Sequence, residues 1–269
     1  RAFGRVDLTF DGSQPVTAKK LFPPRDLCPE GAKADFETCT PGEYEGKPVS
    51  RSPAVEKAIT GSIANAKGKR GEPLGITLVE VVKRAYDDES ALGNLFADLL
   101  REAAPNVDAA FMNGGGLRAD LPAGALSYGA LFESFPFDNR IATAKLSVKD
   151  LKALLAAHIG RSGGILSLSG ITLRAACSPD GITVELFDGK GRALKEGRML
   201  TILGSDFMFL GGDAFWGELT PPAIEIGDEL MRDALERGLK RRKELRPSDV
   251  FDAKKPRFKL KGKRPLSCR

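Results

Sequence analysis

The 269-residue chain is 42% hydrophobic and 29% charged, which is typical of a globular protein with one large hydrophobic core or two smaller ones. It contains no apolar run of about 18 residues, so the sequence predicts no membrane-spanning helix. Residues 231–269 contain 15 Lys and Arg against 5 Asp and Glu, whereas the other residues contain 26 against 31. The net charge of +5 therefore combines a mildly acidic body with a strongly basic C-terminal tail.

The first residues of the chain predict a strand. Val6, Leu8 and Phe10 alternate with polar residues, which is the period of a half-buried strand. The chain starts at Arg1 and shows no hydrophobic segment of the kind found in signal peptides. We interpret it as a processed or truncated piece of a longer protein.

A domain boundary is expected before residue 53. Residues 11–52 are rich in Pro, Gly and charge and predict an irregular connection. Because so long a connection is uncommon inside a compact domain, we expect residues 1–52 to end a preceding domain and its linker, and residues 53–269 to form the main domain. The main domain would begin with a helix at residues 53–67, where apolar residues recur at helical spacing.

The rest of the chain mixes helices and strands without strict alternation. Helices are predicted at residues 88–106, 127–135, 148–164 and 227–245. Strands are predicted at residues 72–82, 107–112, 170–177, 181–188, 198–208 and 257–263, and the turn sequence SPDG at residues 178–181 joins the third strand to the fourth in a hairpin. In the helix predicted at residues 88–106, Ser90 is the expected N-cap and Pro105 is expected to end the helix. These elements predict an α+β or mixed α/β fold in layers.

The four cysteines fit two disulfides, and they also fit four thiols. Cys28 and Cys39 flank a loop without hydrophobic periodicity, where a bridge would help most, and Cys177 would then pair with Cys268. No CxxC is present, so metal binding by these cysteines is not expected. Disulfides would place the protein in the periplasm or outside the cell.

The sequence lacks the residues of a complete hydrolase site. No GxSxG, GxxxxGK[ST] or GxGxxG motif opens a predicted helix, and a single histidine cannot supply a metal centre. His158 lies near the end of a predicted helix and is expected to be a surface or capping residue. The chain alone is therefore expected to be a binding or specificity domain without a cofactor of its own.

A glycine-rich loop follows the apolar strand at residues 107–112. Asn113 offers donors and acceptors, the run Gly114, Gly115 and Gly116 allows positive φ and close approach to a ligand, and Arg118 offers a planar fork for anions or paired hydroxyls. The alternative is a simple glycine turn with a solvated arginine.

Two further stretches place aromatic residues in loops. Residues 133–139 (ESFPFDN) contain Phe137, and residues 204–216 (GSDFMFLGGDAFW) contain Phe207 and Asp213. Aromatic side chains can stack on a base, worth about 1–3 kcal/mol each. The alternative is that these phenylalanines pack their loops onto the core.

Three stretches in this order and spacing, ESALGNLFADLLREA, FMNGGGLRADLPAGALSYGALFESFPFDN and ILGSDFMFLGGDAF, resemble the C-terminal domain of the 5'-nucleotidase family, which includes UDP-sugar hydrolases and ecto-5'-nucleotidases. The resemblance covers about residues 73–235. Residues 3–12 (FGRVDLTFDG) resemble the last strand of the metallophosphatase domain that precedes it in that family. The chain would then be the substrate-binding half, with two divalent metal ions bound in the metallophosphatase domain, its partner within the intact protein.

The resemblance also implies roles for individual residues. Phe137 and Phe207 match the pair that sandwiches the nucleobase, and Asp213 matches the aspartate that binds the ribose hydroxyls. Asn113 and Arg118 match the nucleoside-contacting residues of the NGGGxR loop, which includes Gly115. The intact protein would hydrolyse a phosphoester of a nucleotide-like substrate.

One feature departs from the family pattern. Several members carry arginines before the GNL helix, where this chain has Asp87 and Asp88, with Lys83 and Arg84 just upstream. Specificity for 5'-monophosphates is therefore open, and cyclic nucleotides, nucleotide sugars and sulfur-bearing substrates remain alternatives.

Two other classes of function are possible. The chain could be a non-catalytic nucleoside or sugar binding module, or a polyanion-binding protein that uses its basic tail. Phe251 and Phe258 are the isolated aromatics of that tail, so base contacts lack support, and a solvated basic helix and strand is the favoured interpretation. Nucleic acid is therefore not expected as a partner.

Overall fold

The structure is a computed structural model that describes residues 2–10, 12, 16, 18–28, 39 and 41–268. These residues group into two compact units, Arg1–Asn65 and Ala66–Arg269. In the part of the chain described, no helix is long and apolar enough to cross a membrane. The boundary predicted before residue 53 stays a prediction.

The first unit is built on two short antiparallel ribbons. Its strands are β1 (Ala2–Thr9), β2 (Ala18–Asp26), β3 (Glu43–Tyr44) and β4 (Lys47–Pro48). β1 pairs with β2, and β3 pairs with β4. The predicted first strand is confirmed, whereas the irregular connection predicted for residues 11–52 is wrong at β2. Its Pro23 and Pro24 hid the strand signal, since proline is tolerated only at sheet edges.

The helix α1 (Pro53–Gly71) follows and begins at the predicted proline. None of its residues is buried. Val55, Ile59 and Ile63 lie along one face and are each more than 40% exposed. The helix is therefore not held by a hydrophobic core within the residues that the structure describes.

The second unit contains the remaining elements. Its strands are β5 (Pro73–Leu78), β6 (Ala109–Asn113), β7 (Gly124–Ser127), β8 (Arg140–Ser147), β9 (Leu166–Ser169), β10 (Ile171–Ser178), β11 (Gly181–Asp188), β12 (Met199–Ser205), β13 (Ile224–Leu230), β14 (Glu244–Leu245) and β15 (Phe258–Leu260). Its helices are α2 (Ala91–Ala103), α3 (Tyr128–Ser134), α4 (Val148–Gly160), α5 (Asp206–Phe209) and α6 (Met231–Lys240).

A five-stranded sheet in the order β13-β8-β12-β6-β9 forms the centre of this unit. β12 and β6 are parallel, and the other neighbouring pairs are antiparallel. Two three-stranded sheets, β11-β10-β15 and β14-β5-β7, accompany it. The mixed α/β class and its layered arrangement are confirmed.

The central sheet separates two hydrophobic cores. Along β6, Ala109 and Phe111 face the core formed with α4 and β10–β11, whereas Ala110 and Met112 face the core formed with α2, α6 and β5. This alternation follows from the two-residue period of a strand. Because both faces are covered, the sheet edge is where polar side chains can gather.

The elements with strong local sequence signals were predicted correctly. The Ser90 hydroxyl accepts a hydrogen bond from the Gly93 N–H and caps α2, which ends before Pro105. β10 and β11 form the predicted hairpin. The strands β7, β8, β9 and β13 were not predicted. The buried positions of β8 are Ala142, Ala144 and Leu146, and the small alanines gave little hydrophobic alternation.

The C-terminal tail packs on the second unit through specific polar contacts. The Glu89 carboxylate accepts hydrogen bonds from the backbone N–H groups of Arg257 and Phe258, and Arg257 makes a bidentate ion pair with Asp98. A disulfide also joins Cys268 of the tail to Cys177, and a second disulfide joins Cys28 to Cys39. Part of the positive charge of the tail is thus neutralised by internal contacts.

Candidate functional site

The topology of the central sheet brings separate loops to one edge. Because β6 and β12 are parallel neighbours, their carboxyl ends lie at the same edge. β6 ends at Asn113, and β12 leads through α5 to Phe207 and then to Asp213. Both motifs that the sequence singled out therefore meet, although about a hundred residues separate them.

The antiparallel neighbours add two more loops to this edge. Ile141 at the start of β8 pairs with Ser205 at the end of β12, so the loop with Phe137 approaches from one side. Leu166 at the start of β9 pairs with Asn113, so the preceding residues approach from the other side. The edge is thus formed by the ends of four adjacent strands.

Asn113 and Asp213 are in direct contact. The Asn113 Nδ2 donates to Asp213 Oδ2 at 2.7 Å. Asn113 is buried, whereas Asp213 is exposed. Within the described residues no protein group bonds to Asp213 Oδ1. An oriented carboxylate with one free oxygen can accept hydrogen bonds from hydroxyl groups, and ionised acceptors make the stronger bonds.

Glycine is needed at two positions of this loop because neighbouring atoms of the chain leave no room for a side chain. Gly114–Gly116 form one turn of 3-10 helix, and none of the three has a positive φ. A Cβ at Gly114 would overlap the carbonyl oxygen of Tyr86, and one at Gly116 would lie 2.8 Å from Asn113 Oδ1. Gly115 has ordinary space, since an added Cβ would lie 3.7 Å from Asn113 and 3.8 Å from Asp213. The positive φ that glycine allows is therefore not used in this loop.

Two arginines border the loop. Arg118 is exposed, its backbone N–H donates to the Ser134 carbonyl at 2.8 Å, and its Nη1 lies 3.4 Å from the Gly115 carbonyl. Arg84 Nη1 lies 3.3 Å from the Leu117 carbonyl. Two segments of the chain thus place positive charge beside the glycine loop.

Phe137 and Phe207 are both partly exposed, at 37% and 48%. The Phe137 ring makes an edge contact with the buried Phe135 at 5.9 Å between ring centroids. The Phe207 ring lies against Gly212, where a Cβ would be 2.6 Å from the ring. The part of the chain that the structure describes shows no direct contact between the rings of Phe137 and Phe207. Each aromatic ring therefore has a face available at this edge.

The Asp213 turn has an unfavourable backbone. Asp213 and Ala214 have φ of 53° and 48°, a region that L-residues seldom occupy. Such residues cost on the order of 1–3 kcal/mol each and persist only where the surroundings enforce them. Arg161 is one enforcing group, since its guanidinium donates to the carbonyls of Asp213 and Ala214 at 2.8 Å each. Arg161 was not predicted from the sequence.

His158 also belongs to this edge and is 6% exposed, so its predicted surface position is wrong. Its Nε2 lies 2.9 Å from the Phe215 carbonyl. Since a carbonyl only accepts, Nε2 carries the proton; Arg161 Nη2 lies 3.0 Å from both ring nitrogens. The pKa of His158 is lowered to about 4, chiefly by burial, which outweighs the hydrogen bond to the Phe215 carbonyl; the charges of Arg161 and Arg264 contribute in the same direction as burial. The imidazole is therefore neutral at pH 7.

A cavity of about 220 Å³ opens at this edge. Its lining includes Tyr86, Asn113, His158, Arg161, Asp213 and Phe215. A larger cavity of about 780 Å³ lies along the tail, between residues 87–89 and 251–264. Glu89 in that cavity is already bonded to backbone N–H groups, so the smaller cavity, which holds the oriented carboxylate, is the better candidate site.

The family model of the 5'-nucleotidase C-terminal domain matches residues 63–218. The chain belongs to this family. The resemblance noted from the three sequence motifs is confirmed, and the match includes Asn113, Arg118, Phe137, Phe207 and Asp213.

Individual relatives are longer than this chain. Endonuclease YhcR of Bacillus subtilis (strain 168) is 40% identical over 87 residues, which cover 32% of this chain and 7% of that protein. Cell wall protein Lmo0130 of Listeria monocytogenes is 26% identical over 199 residues, which cover 64% and 25%. The chain thus spans a quarter or less of these curated relatives.

A solved structure supports the fold. The 5'-nucleotidase precursor from Thermus thermophilus superposes with a TM-score of 0.65 at 21% identity, and the match covers 96% of this chain and 50% of that chain. At this level of identity the likeness establishes the fold. This chain corresponds to about half of that protein.

The described residues do not fit a dinuclear metal centre. Across residues 2–10, 12, 16, 18–28, 39 and 41–268, no three His, Cys, Asp or Glu side chains are grouped as a metal ion would require. The lining of the smaller cavity offers hydrogen-bonding groups, Asn113 and Asp213 among them, whereas Phe137, Phe207 and Arg118 are not among its lining residues.

Proposed function

We propose that this chain is the nucleotide-binding specificity domain of a metal-dependent 5'-nucleotidase-type phosphoester hydrolase. The base would stack between Phe137 and Phe207. The ribose would be held by Asp213, with Asn113, Gly115 and Arg118 completing the contacts. The observation that carries the proposal is the 2.7 Å hydrogen bond that orients the Asp213 carboxylate at an edge with two partly exposed phenylalanines.

The chemistry of the site fits a nucleoside better than an isolated phosphate. A carboxylate oxygen without a protein partner suits two vicinal hydroxyls, and it would repel a phosphate placed at the same point. The partly exposed aromatic rings suit a base, which presents a flat face whatever its identity. The phosphate would lie on the side of Arg118 and Arg84, where two guanidinium groups border the glycine loop.

The hydrolytic step would take place outside this chain. In this proposal two divalent metal ions are held by a metallophosphatase domain, and in such centres the metals activate water and stabilise the developing charge. This chain alone would be inactive. Its contribution would be to position the nucleoside so that the phosphoester reaches that centre. Positioning of this kind can lower the activation barrier by up to about 7–11 kcal/mol.

We also propose that the intact protein works in the periplasm or outside the cell. The disulfides Cys28–Cys39 and Cys177–Cys268 are typical of oxidising compartments. A cell wall protein is among its relatives, which agrees with that location.

Calorimetric titration of this chain with adenosine, AMP and UDP-glucose, without metal, tests the binding function. We expect saturable binding of at least one ligand, weakened by Phe207→Ala and by Asp213→Asn. Phe187→Ala in β11 and Asp228→Asn in β13 change the same residue types away from the candidate site; they serve as controls and should bind as the unmodified chain does. A folded chain that binds none of the three ligands would contradict the proposal.

A further inference from the structure

Three consecutive carbonyls of the Asp213 turn are held by the end of α4. Arg161 Nη2 donates to the Asp213 carbonyl at 2.8 Å and Arg161 Nη1 donates to the Ala214 carbonyl at 2.8 Å. His158 Nε2 donates to the Phe215 carbonyl at 2.9 Å. Arg161 is the residue directly after α4, and its guanidinium lies 3.0 Å from the His158 ring nitrogens, so both donors reach the turn from the same side of the helix end.

This turn needs external support because its own conformation is unfavourable. Asp213 and Ala214 both have left-handed φ angles, and only the preceding Gly211 adopts a positive φ without steric conflict. Alanine has no side-chain group that could bond locally and offset the conflict, in contrast to aspartate. The orientation of these two peptide groups therefore depends on the hydrogen bonds to their carbonyls.

Arg161 is suited to this task by its shape. A guanidinium is planar and presents its donors in a rigid fork, so it can fix two carbonyls at once. The His158 ring supports the fork in turn, since Arg161 Nη2 lies 3.0 Å from each of its two nitrogens. The helix end is itself anchored, because Arg264 Nη2 donates to the His158 carbonyl at 2.8 Å.

The backbone held in this way carries the proposed ribose-binding group. The Asp213 side chain extends from the same residue whose carbonyl Arg161 binds, and its Oδ2 is fixed by Asn113. Two constraints from opposite ends, the backbone and the carboxylate, define where the free Oδ1 lies. Without the first constraint the turn could relax and the carboxylate would lose its direction.

We propose that Arg161 is a positioning residue that fixes the Asp213 turn and thereby directs the carboxylate toward the two hydroxyls of a ribose. The inference rests on the proposed function and adds a determinant of sugar specificity. In this proposal, recognition of the ribose depends on Arg161, whereas stacking of the base does not.

The test compares two ligands that differ only in these hydroxyls. Binding of adenosine and of 2',3'-dideoxyadenosine is measured by calorimetry for the unmodified chain, Arg161→Met and Arg161→Lys. We expect the unmodified chain to prefer adenosine by about tenfold or more, since a hydrogen bond to a charged group has roughly that effect on affinity. Arg161→Met should lose this preference while binding the dideoxy ligand unchanged, and Arg161→Lys should retain part of it.

Two further variants separate positioning from general stability. Ala214→Gly relieves the left-handed strain, so in combination with Arg161→Met it should restore part of the preference for adenosine. Arg192→Met removes an exposed arginine that pairs with Asp188 on another strand and should leave the preference unchanged. If Arg161→Met does not fold, Arg161→Lys and its combination with Ala214→Gly carry the same comparison.

The outcomes distinguish the two proposals. If the unmodified chain binds neither ligand, the proposed nucleoside-binding function fails. If the unmodified chain prefers adenosine and both Arg161 variants keep the full preference, the function stands and the role of Arg161 is refuted. Equal weakening of both ligands by an Arg161 variant would also refute positioning, because it would indicate a structural role only.

Discussion

Asn113 and Asp213 lie one hundred residues apart in the chain and are joined by a hydrogen bond of 2.7 Å between the amide and the carboxylate. Asn113 ends β6, and Asp213 follows the parallel neighbour β12. The contact therefore exists only once the central sheet has formed. It combines a buried donor with an exposed acceptor, so that one carboxylate oxygen is fixed and the other stays available to a ligand.

We predict that Asn113→Asp weakens nucleoside binding in a pH-dependent way. Two carboxylates at hydrogen-bond distance cannot both ionise easily, so at pH 7 they repel each other and disturb the turn. We expect about a tenfold higher Kd at pH 7, with partial recovery at pH 5, where the pair can share a proton. Calorimetric titrations at both pH values measure this effect.

Asn113→Ala is the control for this experiment. It removes the same donor without adding a charge, so binding should weaken without recovery at pH 5. If Asn113→Asp and Asn113→Ala respond to pH in the same way, the carboxylate pair is not responsible and this prediction is wrong.

We predict opposite results for two neighbouring phenylalanines. Phe207 is 48% exposed, whereas Phe209 is fully buried and packs on Phe215 and Trp216. Phe207→Ala should lower the free energy of unfolding by less than about 1 kcal/mol, because little packing is lost. Phe209→Ala should lower it by about 3–5 kcal/mol. Urea unfolding followed by circular dichroism measures both, and a large loss for Phe207→Ala would identify it as a core residue.

Local signals in the sequence were sufficient to predict much of the fold. The cap at Ser90, the helix α2 and the β10–β11 hairpin each depend on residues close together in the chain, and each was predicted correctly. β8 was missed because two of its buried residues are alanines, which hardly differ from their polar neighbours in hydropathy. β2 was missed because two consecutive prolines suggested a loop.

The candidate site depends on contacts between distant residues, which local patterns do not reveal. The glycine loop and the GGD turn could each be singled out, and the family resemblance connected them. Arg161 gave no signal, since its role is to bind carbonyls 52 and 53 residues away. His158 was placed at the surface because a helix end is usually solvated, whereas here the Asp213 turn and Arg264 cover it.

We predict that His158 makes the stability of the second unit depend on pH. Its pKa is lowered from 6.5 to about 4, chiefly by burial, with Arg161 and Arg264 adding to the effect and Asp213 opposing it. The unfolded chain therefore binds a proton more readily than the folded one between these values. The stabilisation is fully present above about pH 6.5 and is lost as the pH falls toward 4, by about 3 kcal/mol.

Two measurements check this prediction. Since the chain has one histidine, its imidazole proton can be followed by NMR, and the folded protein should show no titration near pH 6.5. His158→Gln keeps a donor for the Phe215 carbonyl but cannot titrate, so its unfolding free energy should fall less than that of the unmodified chain between about pH 7 and pH 4. A midpoint near 6.5 in the folded state would contradict the prediction.

We predict that the ion pair between Asp98 and Arg257 fixes the C-terminal tail. Two hydrogen bonds of 2.7 Å join the two side chains, which are 21% and 23% exposed, and Arg257 also donates to the Leu168 carbonyl at 2.8 Å. Asp98→Asn leaves the guanidinium without its counter-charge in a partly buried position. The free energy of unfolding should fall by about 2 kcal/mol, less than for a fully buried pair because solvent screens part of the interaction.

An exposed pair provides the matched control for the tail. Arg192 and Asp188 are joined at 2.7 Å, but the arginine is 72% exposed, so Asp188→Asn should lower the free energy of unfolding far less than Asp98→Asn does. A double-mutant cycle with Arg257→Met isolates the Asp98–Arg257 interaction itself. Since Arg257 is held inside the second unit, the cycle should give a coupling of about 1–2 kcal/mol that high salt reduces only slightly. A coupling near zero would mean that packing and the Cys177–Cys268 disulfide hold the tail without this ion pair.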